Sequence, residues 1–139
     1  MKVLSVAQPW AWLIVQGHKA IENRNWPTAL RERIAIHASA RLGLRDWSEI
    51  VGGPPVPIGE GITLDDGTVL PALSALPLGV ILGTVEVVDC QRFDAMPKRL
   101  QRDPFAEGPL CWLLANPRLL AAPRITPTAN ISPSASPFL

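Results

Sequence analysis

The sequence predicts an α+β chain: a small mixed β-barrel of short strands with short flanking helices. Three observations carry this. At 139 residues the chain has the size of one ordinary domain. A hydrophobic content of 47% suffices for one buried core and is too high for a disordered chain. Fifteen prolines exclude a long-helix bundle or coiled coil, because an interior proline costs a helix roughly 3 kcal/mol.

The elements follow in order. Lys2 to Val6 reads as a short strand. Pro9 stands where a first-turn proline belongs and Gly17 where a helix stop belongs, so Pro9 to Gln16 is expected to be a two-turn helix. Its apolar positions run nearly all round, which predicts burial. Lys19 to Arg24 is extended and ends at Trp26-Pro27. Arg33 to Ser39 alternates, with Ile34, Ile36 and Ala38 on one face and Arg33, Ala35, His37 and Ser39 on the other. Leu44 to Val51 is expected to be a short helix. Val80 to Asp89, rich in β-branched residues after Gly79, is the strongest strand. Phe93 to Arg102 reads as a brief helix and Leu110 to Ala115 as a further apolar strand.

Proline and charge are unevenly spread. Residues 51–78 form a Gly/Pro-rich stretch expected to be a long irregular loop, with a hairpin signal at Asp66-Gly67. Residues 123–139 are Pro/Ser-rich and are expected to be a disordered tail, leaving 1–122 as the folded domain. The net charge of +1 conceals basic segments at 1–50 and 91–139 around a stretch, 51–90, that has no Lys or Arg. Basic segments that meet in the fold would make a local anion site. No secretory signal or membrane span is visible, and Cys90 and Cys111 read as buried free thiols, so a cytoplasmic protein is expected. The two cysteines and two histidines match no zinc-ligand spacing. Neither a metal nor another cofactor is expected.

The densest polar cluster runs from Gly17 to Trp26 and holds Lys19, Glu22, Arg24 and Trp26. Glu22 and Arg24, two apart in an extended segment, point the same way. They are either a surface ion pair or an anchor for an anionic or hydrogen-bonding ligand. Glu86 is a lone charge in a core-like strand and needs a partner, for which Arg24 and Lys19 are natural choices. His37 and Ser39 share a strand face with Arg33, and Arg41 lies just beyond; they form either an ordinary half-buried face or a pocket wall for a base or phosphate. Trp10, Trp12 and Trp112 sit in apolar elements and read as core, whereas Trp26 lies in a polar loop where it could stack on a base. Phosphate-loop, nucleophile-elbow and zinc-protease signatures are absent from the sequence.

Together these segments resemble a known family. Leu4-Ser5-Val6, Gln8-Pro9-Trp10-Ala11, Gly17-His18-Lys19 and Glu22-Asn23-Arg24-Asn25-Trp26-Pro27-Thr28 resemble the start of ASCH (activating signal cointegrator homology) domains. Ile36-His37-Ala38-Ser39, Gly83-Thr84-Val85-Glu86, Gly108-Pro109-Leu110-Cys111-Trp112 and Asn116-Pro117-Arg118 continue it in the family's order. The resemblance implies a PUA-like barrel that binds single-stranded RNA or a modified nucleoside in a polar cleft. Alternatives are a hydrolase in that cleft, either a ribonuclease or an N4-acetylcytidine amidase, and a coactivator-type protein-interaction module. Lys19 matches the lysine of the family's Gly-x-Lys motif, and Glu86 matches the glutamate of the amidase branch. Glu22 occupies that branch's threonine position, where it would serve as a general base. Arg24, Trp26, His37, Ser39 and Arg41 would contact substrate. Family members usually close with a Gly-x-x-Gly-aromatic strand. This chain has no glycine after Gly108, which predicts a missing or replaced closing strand.

Overall fold

The computed structural model describes residues 1–42, 59–63 and 66–124. The expected helix at 44–51 and most of the expected tail lie outside the described residues. Five strands form one mixed sheet that curls into a half-barrel: β1 (Val3–Gln8), β2 (Ile21–Arg24), β3 (Arg33–Leu42), β6 (Val80–Arg92) and β7 (Leu110–Arg124). Their spatial order is β1-β3-β6-β7-β2, with β1 parallel to β3 and the other neighbours antiparallel. The short strands β4 (Ile62–Thr63) and β5 (Val69–Leu70) pair as a separate hairpin around Asp66-Gly67, as the turn signal predicts. Helices α1 (Trp10–Val15) and α2 (Lys98–Gln101) complete the elements, with 3-10 turns at Leu73–Ala75 and Phe93–Ala95.

Alternation along the strands builds the main core. Leu4 and Val6, then Ile34, Ile36 and Ala38, then Val85 and Val87 turn their side chains inward, where they meet Trp112, Leu114 and α1. Helix α1 is buried on two sides. Ala11, Ile14 and Val15 join the main core, while Leu13 joins Leu70, Leu73 and Leu76 in a second cluster. The stretch before β6 is therefore not wholly irregular, because three of its leucines seal the outer side of the helix. Gln8, fully buried, ties the helix to that stretch. Its Oε1 accepts the Trp12 N–H at 2.9 Å and its Nε2 donates to the Pro77 carbonyl at 3.0 Å. Gly17, at φ +86, ends the helix turn in a conformation that suits glycine.

The last strand differs most from expectation. Leu110 to Arg124 is one strand that runs well past Ala115, and its second half pairs with the start of β6 through Gly83, Thr84 and Ile81. Of the two expectations for this end, a missing or a replaced strand, β7 shows the second through Arg124, and β6 has a partner on both sides. Pro117 is accommodated because the register shifts between Thr84 and Glu86, where Asn116 takes φ +52 and forms a bulge that a proline tolerates. Gly83 fits this crossing closely, since a Cβ there would collide with the Arg118 carbonyl oxygen. The edges of the five-strand order are β1 and β2. They are bridged by a side chain: Arg24 Nη2 donates to the Ser5 carbonyl at 2.8 Å.

Candidate functional site

Strand β2 is four residues long, and its alternation sorts its side chains. Ile21 turns to a small cluster with Met96 and Cys111, while Glu22 stands opposite the fully buried Trp112 in register. Glu22 and Arg24 therefore share the barrel-facing side, as their spacing predicts. Lys19 reaches the same point from the turn after α1, where its backbone N–H is held by the Leu13 carbonyl.

The three side chains form one buried triad. Lys19 Nζ lies 2.7 Å from Glu22 Oε1, and Arg24 Nη2 lies 2.7 Å from Glu22 Oε2. Lys19 also donates to the Ile21 carbonyl. Lys19 and Glu22 are 5% and 8% exposed, whereas the Arg24 side chain keeps 22% of its surface open. Burial alone would raise the Glu22 carboxyl, but the charges of Lys19 and Arg24 and their hydrogen bonds outweigh it and hold the pKa below the ordinary value. The triad carries two cations on one carboxylate. Arg24 Nε is buried without a hydrogen-bond partner among the described residues. The surface-pair reading of Glu22 and Arg24 is thus replaced by a buried three-member cluster whose most exposed member is Arg24.

Glu86 does not join it. Val85 and Val87 on either side point into the core, so Glu86 points to the outer face, with its side chain 38% exposed. Its partner is Arg33, at 3.1 Å, rather than Arg24 or Lys19. Asn116 Nδ2 donates to its other oxygen at 3.0 Å, and this bond is the first cause that keeps its pKa low. Arg33 also donates to Thr84 Oγ1 and to the Asn116 carbonyl, pinning the β7 bulge. His37 shares that outer face, and its Nδ1 lies 3.0 Å from Ser5 Oγ. Ser5 thereby links His37 to Arg24, which bonds the Ser5 carbonyl. Ser39 is half-buried on β3; Arg41 is on the same strand, its side chain outside the described residues.

Trp26 is engaged as well. Its ring packs edge-on against Trp112 with centroids 4.9 Å apart, and Trp112 Nε1 donates to its carbonyl at 3.3 Å. A freely standing stacking platform is not what the structure provides there. Trp12, expected in the core, is half-buried and stacks on exposed His18 at 5.6 Å and 22°. Asn23 has a structural role that the composition of the polar cluster does not announce. Its Oδ1 accepts the N–H groups of Glu107 and Gly108 at 2.9 Å, and its Nδ2 donates to the Phe105 carbonyl at 2.7 Å. Its place between Glu22 and Arg24 was the available signal, since alternation turns it away from them toward the 105–108 loop. Among the described residues no His/Cys/Asp/Glu group could hold a metal ion, and no helix is long and apolar enough to cross a membrane.

The chain matches the ASCH domain family over residues 4–124. It is similar to activating signal cointegrator 1 of Homo sapiens, at 29% identity over 119 residues, covering 83% of this chain and 19% of that protein. The Mus musculus protein of the same name is 33% identical over 88 residues, covering 63% of this chain and 14% of that protein. The chain thus spans less than a fifth of the length of these relatives.

Proposed function

The chain belongs to the ASCH domain family, and from that premise we propose that it binds single-stranded RNA or a modified nucleoside at the open end of the Lys19–Glu22–Arg24 triad. One observation carries the reading: a buried cluster of two cations on one carboxylate, whose most exposed member, Arg24, keeps 22% of its side-chain surface open. Charge at such a site is poorly screened, and a guanidinium suits a phosphate oxygen or a base carbonyl. Binding is favoured over hydrolysis. Both Glu22 oxygens are held by cations and its pKa is lowered, so it is a weak general base. Glu86, the other candidate carboxylate, is turned to the outer face and occupied by Arg33 and Asn116. The free thiols Cys90 and Cys111 suit a reducing compartment, and we place the domain in the cytoplasm.

The test is a titration of short single-stranded RNAs, cytidine and N4-acetylcytidine followed by tryptophan fluorescence, since Trp26 lies two residues from Arg24. Saturable binding that is lost in Arg24→Ala, with the native emission spectrum kept, is expected. Because few phosphates can reach one guanidinium, the salt dependence should be shallow. No response in the wild type, or an unchanged response in Arg24→Ala, overturns the reading. Turnover of either substrate class, abolished in Lys19→Ala, would favour the hydrolase instead.

A further inference from the structure

A concavity of about 510 Å³, away from the triad, is lined by Pro27, Cys90, Arg92, Phe93, Asp94, Glu107, Pro109 and Leu110. It is a built feature. Phe93 N–H donates to the Pro109 carbonyl at 2.9 Å, and Gly108, at φ +84, lets the 107–109 turn close on Phe93, because a Cβ there would stand 2.6 Å from the Phe93 Cβ. Asn23 fixes the backbone of Glu107 and Gly108 from the side. The volume falls in the range of binding pockets, roughly 300–1,000 Å³.

The charge of this groove is opposite to that of the triad. Arg92 is already neutralised by Asp94, at 2.8 Å, which leaves Glu107 as a carboxylate with no ion pair among the described residues. The walls beside it are apolar: Pro27, Phe93, Pro109 and Leu110. A phosphate entering would meet two carboxylates against one engaged cation. A basic side chain finds instead apolar walls for its methylene stem, a ring for its cationic head and an unpaired carboxylate at the rim.

We propose that this groove receives a Lys or Arg side chain from a basic segment of a partner protein, with Glu107 as the charge partner and Phe93 as the aromatic wall. The domain then presents two faces of opposite preference, an anion-seeking triad and a cation-seeking groove.

The experiment titrates a capped Ala-Leu-Arg-Leu-Ala peptide, and the same peptide with neutral citrulline for arginine, into the full chain while backbone amide shifts are followed. The arginine peptide should move the amides of residues 92–94, 107, 108 and 110 and saturate. Glu107→Gln, a change at an exposed side chain, should weaken it by about tenfold, and citrulline should give no saturation. The proposal is overturned if those amides do not move, if Glu107→Gln binds as tightly as wild type, or if citrulline binds equally. It is also overturned if a single-stranded RNA, rather than the peptide, moves the same amides.

Discussion

Changing Glu22→Gln removes the negative charge between two cations and leaves the shape almost intact. Each ion pair has its nitrogen and oxygen 2.7 Å apart. With charge centres about 4 Å apart and an effective dielectric of about 20, each attraction is worth about 4 kcal/mol. Against the roughly 8 kcal/mol lost stand the relieved desolvation of a carboxylate, several kcal/mol, and a retained amide bond of about 1 kcal/mol. The net cost is about 3 kcal/mol, within the range of about 3–5 kcal/mol for orphaning a buried charge. Urea unfolding followed by tryptophan emission measures it. The pH dependence supplies a second check. The Glu22 pKa is lowered in the fold, so its contribution is complete above the unfolded value of about 4.3 and is lost as pH falls through the folded value. Wild type and Glu22→Gln should therefore differ most near neutrality and converge in acid. A difference under about 1 kcal/mol at pH 7, or a gap that does not narrow in acid, refutes the reasoning.

Three further outcomes are expected. Gln8→Ala removes the acceptor of Trp12 N–H and the donor to Pro77 at a buried position, and should cost about 2–4 kcal/mol in a urea melt, given about 1–3 kcal/mol for each orphaned group. Gly83→Ala drives a Cβ against the Arg118 carbonyl; it should lower the thermal midpoint and speed amide exchange along β6 and β7, and unchanged exchange would show that the backbone yields freely. Burial pushes the thiols of Cys90 and Cys111 up, so a thiol reagent at neutral pH should label the native chain far more slowly than the urea-unfolded chain. Equal rates would contradict their burial.

The parts of the fold that could be read in sequence are those that local chemistry decides. Pro9 and Gly17 delimit α1, β-branched residues mark β6, and Asp66-Gly67 marks the hairpin. The spacing of Glu22 and Arg24 likewise put both on one face. What was illegible depends on register. Glu86 needed a partner, but its choice of Arg33 follows from a cross-strand pairing between residues fifty-three apart. The strand expected over Leu110 to Ala115 is longer because a bulge at Asn116 carries the chain past Pro117, which the apolar run alone does not show. Trp26 looked free because it stands among polar residues, yet Trp112 approaches it from another strand. In each case one distant contact overrules a correct local reading.

The Arg24 bond to Ser5 gives this residue two duties. Between other neighbouring strands a ladder of backbone bonds resists separation, whereas the rims of β1 and β2 are fastened by a guanidinium that also grips Glu22. Arg24 therefore acts as a clasp. Both bonds leave one nitrogen, Nη2, whose two N–H groups are fixed in the guanidinium plane, whereas the ammonium of Arg24→Lys, on a flexible stem, has no such fixed directions. A change at this position touches the fastening of the two rims as well as the ligand site, and the kept emission spectrum is what separates lost contact from a loosened clasp.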